Sequence, residues 1–169
     1  MSFIAPIAHI AQIDLEEAND ALVSWDHKMG ACNRPSADVW AHGLHEHGRL
    51  VAVTITAGLV RETCAGFTRA EAVELARLCA ARPDLCRVML RMWREFVFPA
   101  LGQVYGYQWA VSYQDEDLHT GNTYRFDGWV QLGRSSSGTD KRSGRKGRRK
   151  TIWGWHPDAA ARRARKEAA

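Results

Sequence analysis

Val111-Ser112-Tyr113-Gln114-Asp115-Glu116-Asp117-Leu118-His119-Thr120-Gly121-Asn122-Thr123-Tyr124-Arg125-Phe126-Asp127-Gly128-Trp129 is the stretch on which the reading of this chain turns. An apolar run that starts at Trp109 reads as a central strand. It stops at a dense polar cluster. A short helix is expected over Thr120 to Phe126, with Gly128 ending it and a further strand from Trp129 to Leu132. Polar groups are costly to bury without partners, so a cluster of this kind beside a strand reads as a pocket wall or an active-site edge.

Upstream, Leu15 to Lys28 has helical spacing in Leu15, Ala18, Leu22 and Trp25, with Asp14 as a cap. Val39 to Leu44 and Leu50 to Leu59 read as an antiparallel hairpin turned at His47-Gly48. Arg61 to Arg69 is a connection. Ala72 to Cys79 fits either a strand or a helix. Pro83-Asp84 opens a helix expected to run to about Val97 and to end at Pro99. Downstream, Gly133 to Gly147 reads as a loop, Thr151 to Trp155 as a last strand, and Pro157 onward as a basic, alanine-rich segment. This order specifies an α/β domain around a mixed sheet.

The chain has 169 residues, 46% of them hydrophobic, enough for one cored domain. We expect that domain over 1–157, with a basic loop at 134–150 and a basic tail at 158–169. No apolar stretch is long enough to span a bilayer, and residues 1–13 lack a signal-peptide pattern, so no membrane partner and a cytoplasmic location are expected. Cys32, Cys64, Cys79 and Cys86 are irregularly spaced and read as reduced structural thiols.

The net charge of +4 conceals an asymmetry. Residues 1–133 carry 11 basic and 16 acidic side chains, a net −5, while residues 134–169 carry 12 and 3, a net +9. Lys141, Arg142, Arg145, Lys146, Arg148, Arg149 and Lys150 crowd into ten positions. Such density repels itself unless anions neutralise it, and counterion release would drive binding to a nucleic-acid backbone. A solubilising arm is the plainer reading. Contact between the acidic body and the basic segment, within one chain or in a homodimer, is a third.

Taken together, the layout resembles the acetyltransferase-like fold of the GNAT superfamily. More narrowly, it resembles the phage Mom-type DNA-modification proteins. The matching pieces are His27-Lys28, Cys32-Asn33-Arg34-Pro35, Glu74-Leu75-Ala76-Arg77-Leu78-Cys79, Ser112-Tyr113-Gln114-Asp115 and His119 to Trp129. The resemblance implies a mixed, mostly antiparallel central sheet flanked by helices. It also implies modification of the N6 amine of adenine in double-stranded DNA, protecting bacteriophage DNA from restriction in the bacterial host, and a link to bound iron. One departure stands out. Where acyl-CoA-dependent members carry a glycine-rich, diphosphate-binding loop, this chain reads Ala80-Ala81-Arg82-Pro83-Asp84-Leu85-Cys86-Arg87, with no glycine and one acid. Arg82 or Arg87 is then the candidate to hold part of an acetyl-CoA donor.

The chemistry needs a proton acceptor, an acid for the leaving group and stabilisation of developing charge. Ser112, Asp115, Tyr124 and His27 are the candidate catalytic residues, with Glu74 as an alternative base. Helix capping for Asp115 and core packing for Tyr124 are the structural alternatives. His27, Asp115 and His119 are the candidate metal ligands. Arg34 and the basic run from Lys141 to Lys150 are the candidate phosphate contacts. Trp153 and Trp155 suit either packing or base stacking. Two other functions fit the same residues: an acyl-CoA-dependent N-acyltransferase for a small-molecule or protein amine, and a nucleic-acid-binding protein without catalysis.

Overall fold

The structure is a computed structural model that describes residues 7–35, 37–135 and 147–169. The chain divides into two compact units. One comprises Met1–Gly58 and Leu75–Val104, the other Leu59–Glu74 and Tyr105–Ala169.

The first unit is organised by the expected hairpin. Strands β2 (Val39–Glu46) and β3 (Arg49–Gly58) pair antiparallel. Their two-residue turn, His47 at φ 49° and Gly48 at φ 75°, has both central residues left-handed, as a type I′ turn requires. An edge strand that the sequence reading missed, β1 (Ala8–Ile13), pairs antiparallel with β2. Its six residues contain only two isoleucines and no turn signal, so its pattern is faint. Helix α1 (Leu15–Ser24) buries Ala18, Ala21 and Leu22 against Val53 and Ile55 of β3. It is four residues shorter than expected. Asp26 adopts φ 52°, and the His27 N–H returns to the Leu22 carbonyl, closing the helix end.

The undecided segment is strand β6 (Ala72–Ala80), whose residues from Leu75 onward belong to this unit. The strand order here is β1-β2-β3-β6. Helix α2 (Leu85–Met92) packs Leu85 and Met89 against Leu44 and Ala52. It does not end at Pro99. A π-turn over Trp93–Val97 passes the Phe98 N–H to the Trp93 carbonyl, five residues back, and α3 (Phe98–Tyr105) follows. Pro99 lies just beyond that wide turn and does not interrupt the helical run. The buried Trp93 indole donates to Thr56 Oγ1 at 2.8 Å.

The second unit begins with a small hairpin, β4 (Thr63–Cys64) and β5 (Phe67–Thr68), inside the stretch expected to be a plain connection. The first residues of β6 run parallel to β7 (Trp109–Asp115), with Glu74 opposite Val111. The strand order continues β6-β7-β9-β8, with β9 (Lys150–Trp155) antiparallel to both β7 and β8 (Val130–Ser135). Helix α4 (Asn122–Phe126) lies between β7 and β8, and the expected tail forms helix α5 (Ala159–Glu167), which packs against β8. Phe67, Trp109, Val111, Leu132 and Ile152 form the core. The fold class is mixed α/β with mostly antiparallel strand pairing, as the sequence indicates. Among the described residues no helix is long and apolar enough to cross a membrane.

Candidate active site

Side chains alternate along β7, so Ser112 and Gln114 face one way and Val111 and Tyr113 the other. Ser112 is 2% exposed, and its hydroxyl is 2.8 Å from the Tyr124 hydroxyl on α4. The Tyr124 ring stacks on Trp153, with centroids 5.8 Å apart, and meets the edge of Trp129 at 5.3 Å. Two tryptophans thus fix the tyrosine while its hydroxyl points at a serine on the strand. Trp153 and Trp155 are buried, which assigns them to packing rather than to base stacking.

Gln114 supports this arrangement, and the sequence reading had given it no role. Its Oε1 accepts from the Trp153 indole at 2.9 Å, and its Nε2 donates to the His119 carbonyl. Gly121, at φ 76°, closes tightly over both groups. A Cβ there would lie 2.5 Å from Gln114 Oε1 and 2.9 Å from Trp153 Cζ2. A glutamine two residues after the serine, followed by a glycine opening the short helix, was the available signal.

On the opposite side of β7, the Tyr113 hydroxyl is 2.9 Å from Cys64 Sγ. Burial pushes the Cys64 thiol up. The Tyr113 hydrogen bond lowers it, and the Glu74 charge raises it further. Glu74 is itself buried at 5% exposure.

Asp115 is 4% exposed and already engaged. Arg148 Nη1 donates to its Oδ2 at 3.1 Å, and the Asp117 N–H donates to its Oδ1 at 3.0 Å. Its carbonyl accepts the N–H of His119. The neighbouring acids are matched in the same way. Glu116 meets Arg134 at 3.0 Å and the Thr151 hydroxyl at 2.8 Å, and Asp117 meets Arg149 at 3.5 Å. Lys141, Arg142, Arg145 and Lys146 lie outside the described residues.

Among the described residues no group of three His, Cys, Asp or Glu side chains could hold a metal ion. Two of the three candidate ligands have local partners. His27, in the first unit, accepts the Met29 N–H at its Nδ1, and both carboxylate oxygens of Asp115 have donors. His119 is exposed on its loop. In the first unit Arg34 donates to the Gly58 carbonyl, and Arg77 donates to the Gly30 carbonyl.

The segment from Ala80 to Arg87 does not fit the diphosphate of an acyl-CoA. The N–H groups of Leu85 and Cys86 are taken by the carbonyls of Arg82 and Pro83. Asp84 brings a negative charge to the start of α2, where a phosphate would be repelled. The Arg82 guanidinium lies between Glu46, at 3.3 Å, and Asp84, at 3.6 Å. Arg87 is exposed on α2.

Solved structures with this arrangement of elements include acetyltransferases. A probable acetyltransferase from Staphylococcus epidermidis superposes with a TM-score of 0.62 at 8% identity, covering 89% of this chain and 99% of its own. The fold is the GNAT acetyltransferase fold. An N-acetyltransferase from Staphylococcus aureus gives 0.60 at 9% identity, covering 89% and 98%. The aminoglycoside 6'-N-acetyltransferase from Enterococcus faecium gives 0.55 at 11%, covering 89% and 99%. No protein-family model and no curated protein matches the chain.

Proposed function

We propose that the protein transfers an acyl-type group to an amine, with Tyr124 as general acid and Ser112 as its proton partner. The observation that carries this reading is the 2.8 Å Ser112–Tyr124 hydrogen bond, held by two tryptophans, in a GNAT fold. In the step, the amine nitrogen bonds to the acyl carbon and the bond from that carbon to its leaving atom breaks. Tyr124 gives its hydroxyl proton to the leaving atom. Tyr124 regains a proton through Ser112 Oγ from the amine, which has one to lose once its new bond forms. A positioned acid of this kind contributes roughly a hundred- to ten-thousand-fold. The N-acetyltransferases that share the fold support an amine as acceptor.

A second reading names the amine as adenine N6 in double-stranded DNA, the phage anti-restriction modification that the Mom-type resemblance implies. It is favoured by Arg134, Arg148, Arg149 and Lys150, which stand in the same unit as Tyr124, at the ends of β8 and β9. A target base would have to leave the duplex stack to be modified.

Mass spectrometry tests both. Nucleosides and small-molecule amines are compared from cells expressing the wild type and Tyr124→Phe. A mass-shifted deoxyadenosine that requires Tyr124 supports the DNA reading, and a shifted amine elsewhere supports the broader one. No Tyr124-dependent amine product would overturn the proposal.

A further inference from the structure

Three consecutive acids at the end of β7 each hold an arginine. Asp115 holds Arg148, Glu116 holds Arg134 and Asp117 holds Arg149, at 3.1, 3.0 and 3.5 Å. The arginines come from the facing ends of β8 and β9, and the Glu116 N–H bonds to the Arg149 carbonyl, so the acid row and the arginine row are locked in register. We infer that this arginine row is a docking strip for the backbone of duplex nucleic acid, covered in the free protein by the carboxylates of Asp115 to Asp117, and that phosphate replaces carboxylate first at Arg149. The inference rests on the DNA reading and adds to it a masked state.

Charge and exposure carry the argument. Beyond the three matched arginines, Lys150 stands at the same end of the sheet, paired with Asp115 and Ser135 across the strands, so the strip carries one more cation than acid. A polyanion is the complementary partner, and release of its counterions favours docking. The three pairs differ in how readily they exchange. Arg149 is 70% exposed and Asp117 61%, so water weakens their pair and a phosphate can reach the guanidinium. An arginine–phosphate contact is charge-assisted and can be bidentate. The Asp115 side chain is 3% exposed, and losing Arg148 would strand a buried carboxylate. Arg148 therefore stays in place and presents its half-exposed outer side. Arg134, 70% exposed over a Glu116 at 20%, lies between these cases.

Masking predicts an uncommon sign: removing one acid strengthens binding only through its arginine. The experiment measures anisotropy of a labelled DNA duplex with the full chain over a range of salt concentrations. Asp117→Asn is expected to tighten binding about two- to fivefold at low salt. Arg149→Gln is expected to weaken it and to reduce the salt slope by about one. In the Arg149→Gln background, Asp117→Asn is expected to have no effect. Glu17→Gln on the exposed face of α1, which carries the same charge change, is the control and is expected to be silent. An unchanged affinity for Asp117→Asn, an equal gain in the Arg149→Gln background, or an equal gain from Glu17→Gln overturns the masked strip while the DNA reading stands. Binding of heparin without binding of the duplex, or no binding by any variant, overturns both.

Discussion

The hydroxyls of Tyr124 and Ser112 lie 2.8 Å apart, one on helix α4 and the other on strand β7. Each group is held by something else: the tyrosine by the Trp153 and Trp129 rings, the serine by burial in the strand. Because the ring packing does not need the phenolic oxygen, Tyr124→Phe should leave the unfolding midpoint nearly unchanged. It should lower product formation about a hundred- to ten-thousand-fold. Paired thermal melts and product assays check this separation. An equal loss of both would reassign the tyrosine to structure.

Gly121→Ala should damage the same site from the other side. The added methyl meets Gln114 and Trp153, and φ 76° strains any residue with a Cβ. A cost of about 1–3 kcal/mol in urea unfolding is expected. Tryptophan emission should change with it, since Trp153 must move.

Arg148 compensates a carboxylate that water scarcely reaches. Arg148→Met should therefore destabilise the second unit by about 1–3 kcal/mol. Asp115→Asn in the same chain should recover part of that loss, because the uncompensated charge is gone. Chemical denaturation of the two single variants and the double variant gives the coupling.

Acid sensitivity should come in part from His42. Burial holds its imidazole below the usual value of 6.5, and its Nδ1 has no hydrogen-bond partner. As pH falls below 6.5, the unfolded chain takes up a proton that folded His42 still refuses. The contribution of His42 is thus complete above that value. It declines toward acid until the folded imidazole titrates as well. His42→Gln should flatten the pH dependence of the melting temperature over that range, and an unchanged slope would exclude His42 as its source.

The parts that were legible in the sequence are those fixed by short-range pattern. The β2–β3 hairpin followed from alternation and the His47-Gly48 turn, and opposite directions for Ser112 and Tyr113 followed from strand parity. The parts that were not legible depend on partners distant in the chain. Strand β1 is stabilised by β2 rather than by its own residues. Asp115 looked available because Arg148, 33 positions away, is invisible to local spacing. Gln114 gained its role only when Trp153 came beside it. The β4–β5 hairpin turns on Ala65 at φ 50°, a conformation that alanine does not advertise.

The π-turn at Trp93–Val97 changes what the long helical segment tolerates. Removing one residue from an ordinary α-helix turns everything beyond it by about 100° relative to what precedes it. In such a helix Phe98 would point about 140° away from Trp93. Here the wide turn already carries one residue more than an α-turn, which is how Val97 and Phe98 are both buried beside Trp93 while Phe96 faces solvent. Deleting Phe96 would shrink that turn to an α-turn and leave Trp93, Val97, Phe98 and Leu101 on their present side. This stretch of the chain can shorten by one residue without losing its inward face, a latitude that the regular helices on either side of it lack.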